Sequence, residues 1–305
     1  MVKYVIKRIG YALLTIFLIS VLTFAVMNMI PGGPFLSEKA VSAETTKSLK
    51  IKYGLDKPLP VQYLTYMGNL LHGDLGVSIK QQGRTANDII SKTFPVSARL
   101  GGLAILLALI LGVVMGSVAA LNRGKWADSL LMVISTLGIA VPSFVVASFL
   151  LITFGVNLHI LPTLGLKTPL HYIMPVAALS FYPMAYITRL MRSSMLDALN
   201  QDYIRTAKAK GVSKFVMLFK HAMRNAIIPV ITYVGPLLAY TMTGSFVVEK
   251  IFTIPGLGRE FINCITGRDY PMVMSTTIFL AILLVTMNVL VDICYKLVDP
   301  RIKLK

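Results

Sequence analysis

Apolar residues run through this chain in long stretches free of charge, and lysine and arginine gather in the short polar segments between them. A helix needs about 20 predominantly apolar residues to cross a bilayer. Six stretches reach or approach that length: 9–30, 96–121, 129–154, 172–191, 226–248 and 272–290. The first follows Lys3, Lys7 and Arg8 and ends in Met29-Ile30-Pro31-Gly32-Gly33. A cleaved leader has a shorter apolar core and a small-residue cleavage site, so this run reads as a retained span. Residues 31–95 form a long polar connection. Within it, 43–52 reads as a short helix ending at Gly54, and Leu64, Met67 and Leu71 make an apolar stripe after Pro60. Gly73, Gly76 and Gly83 mark turns. The segment is expected to be external, partly folded and close to the membrane surface.

The most basic stretch, 202–229, lies between the fourth and fifth runs and reads as two short helices. Asp202 is placed to cap the first, and Gly211 to end it in a left-handed conformation. Ser213 is placed to cap the second, where Phe215, Leu218, Phe219 and Ala222 fall on one stripe. Thr206, Ala207 and Ala209 are small, so another surface can approach the first helix closely. The pattern fits a docking element, and it also fits an ordinary basic loop.

Composition narrows the class. Hydrophobic residues make up 55% and charged residues 14%, against roughly 25% charged in soluble domains, and mean hydropathy is +0.72. The net charge of +17 sits in loops between uncharged runs, which points to a membrane protein and not to nucleic-acid binding. The N-terminus, the Arg123/Lys125 loop, 189–224 and the tail with Arg301, Lys303 and Lys305 share the positive side, so both termini are expected in the cytoplasm. Gly112 and Gly116 have the spacing of a close helix–helix contact, read as generic packing. Pro142, Pro175, Pro183, Pro229 and Pro236 lie in or at the ends of spans, as kinks for movement or as static bends. Asp292 and Lys296 read as a pair anchoring the edge of the last span.

Cys264, Cys294 and the scattered His72, His159, His171 and His221 lack metal-ligand spacing, so no metal or cofactor is expected. The chain contains no phosphate-cradling G-x-x-x-x-G-K-[ST] and no nucleophile motif. No carboxylate is expected in mid-membrane, which disfavours an ion-driven carrier. The reading is a non-catalytic path through the membrane with its energy source elsewhere.

Arg205-Thr-Ala-Lys-Ala-Lys-Gly211 resembles the E-A-A-x-x-x-G loop of ABC-importer permeases, with Ala207 at the second alanine and Gly211 at the glycine. Arg205 and Thr206 depart from the glutamate and first alanine. The whole stretch from Asp202 is similar to the variant of the oligopeptide/dipeptide/nickel permease branch. So are Tyr53–Tyr63, His72–Gly76, Phe94-Pro-Val-Ser97, Val141-Pro-Ser-Phe144, Thr243-Gly-Ser245, Ile254-Pro-Gly-Leu-Gly-Arg259, Arg268-Asp-Tyr270 and Asp299-Pro-Arg301. The opening Lys3–Arg8 and Pro31–Pro34 look like the first of that branch's two permease subunits.

The resemblance implies an all-α type I importer fold of about six spans in a bacterial cell membrane. It implies a first span with its external loop (1–93), a five-helix permease core (94–296) with a cytoplasmic coupling loop (194–225), and a tail (297–305). Implied partners are a second homologous permease, two ATP-binding subunits that hydrolyse ATP, an external peptide-binding protein and an oligopeptide substrate. Tyr203, Arg205, Thr206, Ala207, Lys208, Ala209 and Gly211 are expected to carry the coupling contact. Alternatives are a dipeptide or nickel permease of the same branch, or a gradient-driven carrier.

Overall fold

A computed structural model describes residues 2–31, 33–35 and 43–298. Side chains of 291–298, including Asp292, Cys294 and Lys296, lie outside the described residues, as does the tail from Asp299. Among the described residues the chain is helical, with one isolated antiparallel bridge between Val77 and Thr85.

The first span, α1 (Val2–Met29), is followed by two helices of the connecting segment, α2 (Ala43–Lys52) and α3 (Leu59–Leu71). Then come α4 (Ala86–Leu121), α5 (Trp126–Ala140), α6 (Ser143–Leu150) and a π-helical turn over Leu151–Asn157. A 3-10 turn over Pro169–Tyr172 leads into α7 (Ile173–Leu199). The polar stretch holds α8 (Asp202–Ala209) and α9 (Lys214–Val216), which runs through a π-helical turn (Met217–Ala222) into α10 (Met223–Met242). The chain closes with α11 (Phe246–Ile251), α12 (Leu257–Thr266) and α13 (Tyr270–Val298). By length and composition five helices can span a membrane, and the bent pair Trp126–Ala140 and Ser143–Asn157 brings the number to six.

Two spans differ from the sequence reading. The stretch 129–154 is broken, with its halves at 102°. Val141 is extended (φ −87°, ψ 120°), as a residue before proline prefers, and Pro142 starts the next helix. Pro142 is therefore a break in the chain's direction and not a kink. The second span starts ten residues early, at Ala86, where the Thr85 hydroxyl accepts the Asp88 N–H at 3.1 Å. That cap fixes the start; Pro95 lies within the helix.

The bundle is organised around α4 and α7. A Cβ on Gly112 would lie 2.7 Å from the Ile187 side chain, and one on Gly116 would lie 2.5 Å from the Thr188 carbonyl and 2.7 Å from Met191. The paired glycines thus let two backbones of one chain touch, and dispersion contacts, summed over many atoms, hold them. Gly116→Leu is expected to separate α4 from α7, costing more than the about 1–3 kcal/mol typical of overpacking because backbone is what blocks it. Loss of monodisperse protein on size-exclusion chromatography in detergent is the readout; a normal elution profile would contradict this packing.

The connecting segment packs on the outer ends of α1 and α13. Tyr63 and Ser20 share a hydrogen bond of 2.8 Å, and the Tyr63 ring meets Phe24 edge-on at 5.4 Å. Tyr66 is buried enough that its phenol is pushed up to about 12. The expected stripe of α3 points the other way: Leu64 and Leu71 are exposed. Buried Asp269 fixes the far end of the segment, accepting from the Ser78 hydroxyl (2.5 Å) and from the N–H groups of Ile79 and Lys80 (3.2 Å each).

Candidate coupling site

The polar stretch between α7 and α10 is more helical than a loop of 194–225 implies. The chain leaves α7 at Asn200, turns at Gln201, and from Lys214 onward is already continuous with α10. Only 200–213 stands apart from the two long helices, and α8 occupies most of it.

Gln201, extended at φ −76° and ψ 153°, takes the N-cap position of α8 without a side-chain bond. Asp202 is therefore one residue inside the helix and does not cap it. Its carboxylate still favours the first turn through the helix dipole and lies 3.5 Å from Arg205, both side chains being well exposed. The other end is as expected. Gly211 has φ +71°, its N–H donates to the Lys208 carbonyl (3.1 Å), and the Val212 N–H donates to that of Ala207 (3.2 Å). These two bonds satisfy carbonyls that a helix end leaves open, and the left-handed residue between them favours glycine. Space is not the reason for the glycine, since nothing lies within 4 Å of where its Cβ would be.

One face of α8 belongs to the chain's own core. Ile204 and Ala207 are buried; Ile204 packs in a cluster with Leu218 and Ala222 of the π-helical turn and Met195 and Ala198 of α7. Ala207 therefore faces inward, contrary to the expectation that its small side chain admits another surface. The outward face carries Tyr203, Arg205, Thr206, Lys208 and Ala209. Tyr203 also fastens α8 to α10, its hydroxyl accepting from Asn225 Nδ2 at 2.9 Å. The stripe predicted for the second helix is split. Leu218 and Ala222 are buried, whereas Phe215 and Phe219 are exposed and lie ring against ring at 4.5 Å. A π-helical turn adds a residue to the winding and shifts the phase of whatever precedes it. Ser213 does cap this segment, weakly, with its Oγ 3.5 Å from the Val216 N–H.

Two side-chain clasps brace the bundle. Asp128, at the start of α5, takes two bonds from Arg192 of α7 (2.6 and 2.7 Å) and one from the Gly124 N–H (3.0 Å). Asp128→Ala would leave a half-buried guanidinium unpaired and is expected to cost about 1.5–3 kcal/mol, read as a lower unfolding temperature in detergent. Lys125 makes no cap bond with its side chain and is exposed, so Lys125→Ala is expected to leave both stability and transport near wild type.

The second clasp was not foreseen. Glu249 of α11 is fully buried, at the end of a span that the hydropathy reading cut at Val248. Its carboxylate accepts the Ser97 hydroxyl of α4 at 2.6 Å and the Arg259 N–H at 3.0 Å, while Ser97 Oγ accepts the Leu257 N–H at 2.8 Å. Gly244, Gly256 and Gly258 enclose it; a Cβ on Gly244 would lie 2.6 Å from Oε1, and one on Gly256 would collide with Oε2. Three motifs singled out in the sequence, 94–97, 243–245 and 254–259, thus meet around one carboxylate that belongs to none of them. Among the described residues no group of acidic, cysteine and histidine side chains could hold a metal ion.

The family model "Binding-protein-dependent transport system inner membrane component" matches residues 112–304, and the model of the N-terminal part of such membrane components matches 1–101. The chain belongs to this family. It is 48% identical over 304 residues to the dipeptide transport system permease protein DppB of Bacillus subtilis, covering 100% of this chain and 99% of the relative. It is 43% identical to the oligopeptide transport system permease protein OppB of Haemophilus influenzae, covering 99% and 100% respectively. A solved amino acid ABC transporter, crystallised with histidines, shares the fold at TM-score 0.55 and 16% identity, over 69% of this chain and 94% of that one. The all-α type I importer fold read from the sequence is the one observed, and this family member is a multi-pass cell-membrane permease of an ABC importer.

Proposed function

We propose that this permease passes peptides inward across the cell membrane. It works with a second homologous permease, two ATP-binding subunits that hydrolyse ATP, and an external protein that delivers the peptide. The observation that carries the reading is near full-length similarity to permeases named for dipeptide and oligopeptide transport, combined with a small, firmly fastened helix at the polar end of the bundle.

In this reading α8 faces the cytoplasm and transmits the closure of the ATP-binding subunits. Tyr203, Arg205, Thr206, Lys208 and Ala209 make the contact, since they are the residues turned outward. Ala207 and Gly211 shape the knob from within, the first by fitting against the chain and the second by ending the helix. The inner packing of Ile204 and the Tyr203–Asn225 bond tie α8 to α7 and α10, so displacing the knob moves two long helices with it.

Reconstitution of the chain with its partner subunits in liposomes tests this directly. Labelled di- and oligopeptides are expected to accumulate only with ATP and the delivering protein, and competition between lengths decides which is preferred. Peptide flux through this chain alone would establish a channel or gradient-driven carrier instead.

A further inference from the structure

The exposed residues of α4 and α7 differ in kind. From Gly101 to Leu121, α4 exposes Leu103, Leu106, Ile110, Leu111, Val114, Val118 and Leu121, all apolar, as a lipid-facing surface demands. Apart from Ile173 at its first position, α7 exposes five residues and none is aliphatic: Tyr182, Tyr186, Arg189, Ser193 and Asp197. Their spacing of i, i+4, i+7, i+11 and i+15 puts them on one face. The neighbouring α10 exposes Asn225, Pro229, Thr232, Pro236 and Tyr240 at the same spacing, with Arg224, Ile228 and Ile231 exposed beside them. The two stripes are joined where Tyr186 stacks on Tyr233, ring centroids 4.2 Å apart. Arg189 is steadied by a 2.5 Å bond to the Thr136 hydroxyl of α5. At the polar end the stripes open into a cavity of about 330 Å³ lined by Asp197, Asn225, Pro229 and Tyr203, the last belonging to the coupling helix.

Little of this face is the aliphatic surface that hydrocarbon favours. At membrane depth it presents Tyr182, Tyr186, Thr232, Pro236 and Tyr240, and toward the cytoplasmic end it runs into Arg189 and Asp197, as the wall of a water-filled passage would. The chemistry fits an extended peptide. Tyrosine rings offer contact that tolerates any side chain, hydroxyl and amide groups meet backbone N–H and C=O, and Arg189 and Asp197 match the two charged ends. Pro229 adds to this: it has no N–H to give the Asn225 carbonyl one turn earlier on the same face.

We propose that the paired stripe of α7 and α10 lines the route of the transported peptide, leading it to the cavity beside α8. The assignment rests on the peptide-importer reading above. The test uses the full complex in liposomes, with Cys264→Ala and Cys294→Ala as background and single cysteines at Tyr186→Cys, Ser193→Cys and Tyr240→Cys. Leu106→Cys and Val114→Cys on α4 serve as lipid-facing controls. A charged thiosulfonate reacts with the thiolate, which needs water to form, so stripe positions are expected to label at least about tenfold faster than the controls. Saturating tetra-alanine is expected to slow labelling several-fold. Ser193→Cys exchanges one atom and keeps the site readable should the tyrosine variants misfold. Stripe positions no faster than the controls, in a complex that still takes up tetra-alanine, would overturn the route and leave the importer standing, with the stripe then an interface to the second permease. Fast labelling that saturating tetra-alanine does not slow, in a complex that still takes up tetra-alanine, would overturn the peptide as occupant.

Discussion

Ala209→Trp is expected to abolish peptide uptake while leaving the permease folded. Ala209 is exposed near the C-terminal end of α8, so an added indole touches nothing in its own chain, and a surface change of this kind alters stability by about 0.5 kcal/mol or less. The ring would instead stand between the knob and any subunit seated on it. Uptake is expected to fall at least about tenfold, the equivalent of 1.4 kcal/mol in the coupling contact, with ATP hydrolysis persisting but no longer stimulated by loaded binding protein. Ala207→Trp gives the contrast. Ala207 faces inward, so its substitution overpacks the junction with the π-helical turn, at about 1–3 kcal/mol, and is expected to lower stability and uptake together. If Ala209→Trp transported normally in the assembled complex, the outward face of α8 would not be the contact.

The difference between these two alanines shows where the sequence stops being informative. Hydropathy places spans because each crossing must meet the length of the bilayer, and capping chemistry places Gly211 because a left-handed turn narrows the choice of residue. Neither says which way a short helix is rolled. Ala207 and Ala209 are both small, and Ala207 is buried on the face it shares with Ile204, which packs on Leu218 and Ala222 of a π-helical turn invisible to a 3.6-residue template. Pro142 was legible as a kink or bend, but not as a 102° break between two helices, for a related reason: an apolar run has the same composition whether it is straight or folded back. The polar stripe of α7 is written in the sequence as Tyr182, Tyr186, Arg189, Ser193 and Asp197, but it emerges as a surface only once the rest of the helix is seen to be buried.

Glu249 poses the complementary case, where motifs were legible and their purpose was not. Glu249→Ala removes the acceptor shared by Ser97 and the Arg259 N–H and leaves buried donors without partners, each worth about 1–3 kcal/mol. The junction of α4, α11 and the 254–259 turn is expected to loosen, and the unfolding temperature in detergent to fall by several degrees. Gly256→Ala should be worse, because a methyl group there meets the carboxylate and Ser97 Oγ at once. The two losses are not independent if the glycine is required by the carboxylate. In the Glu249→Ala background Gly256→Ala meets only Ser97 Oγ, a hydroxyl then freed from its carboxylate partner, so the double variant is expected to be more stable than the sum of the single losses predicts, by an interaction energy on the order of 1 kcal/mol or more. Strict additivity in that cycle would mean that the glycine makes room for Ser97 Oγ alone and that the motifs converge on Glu249 without depending on it.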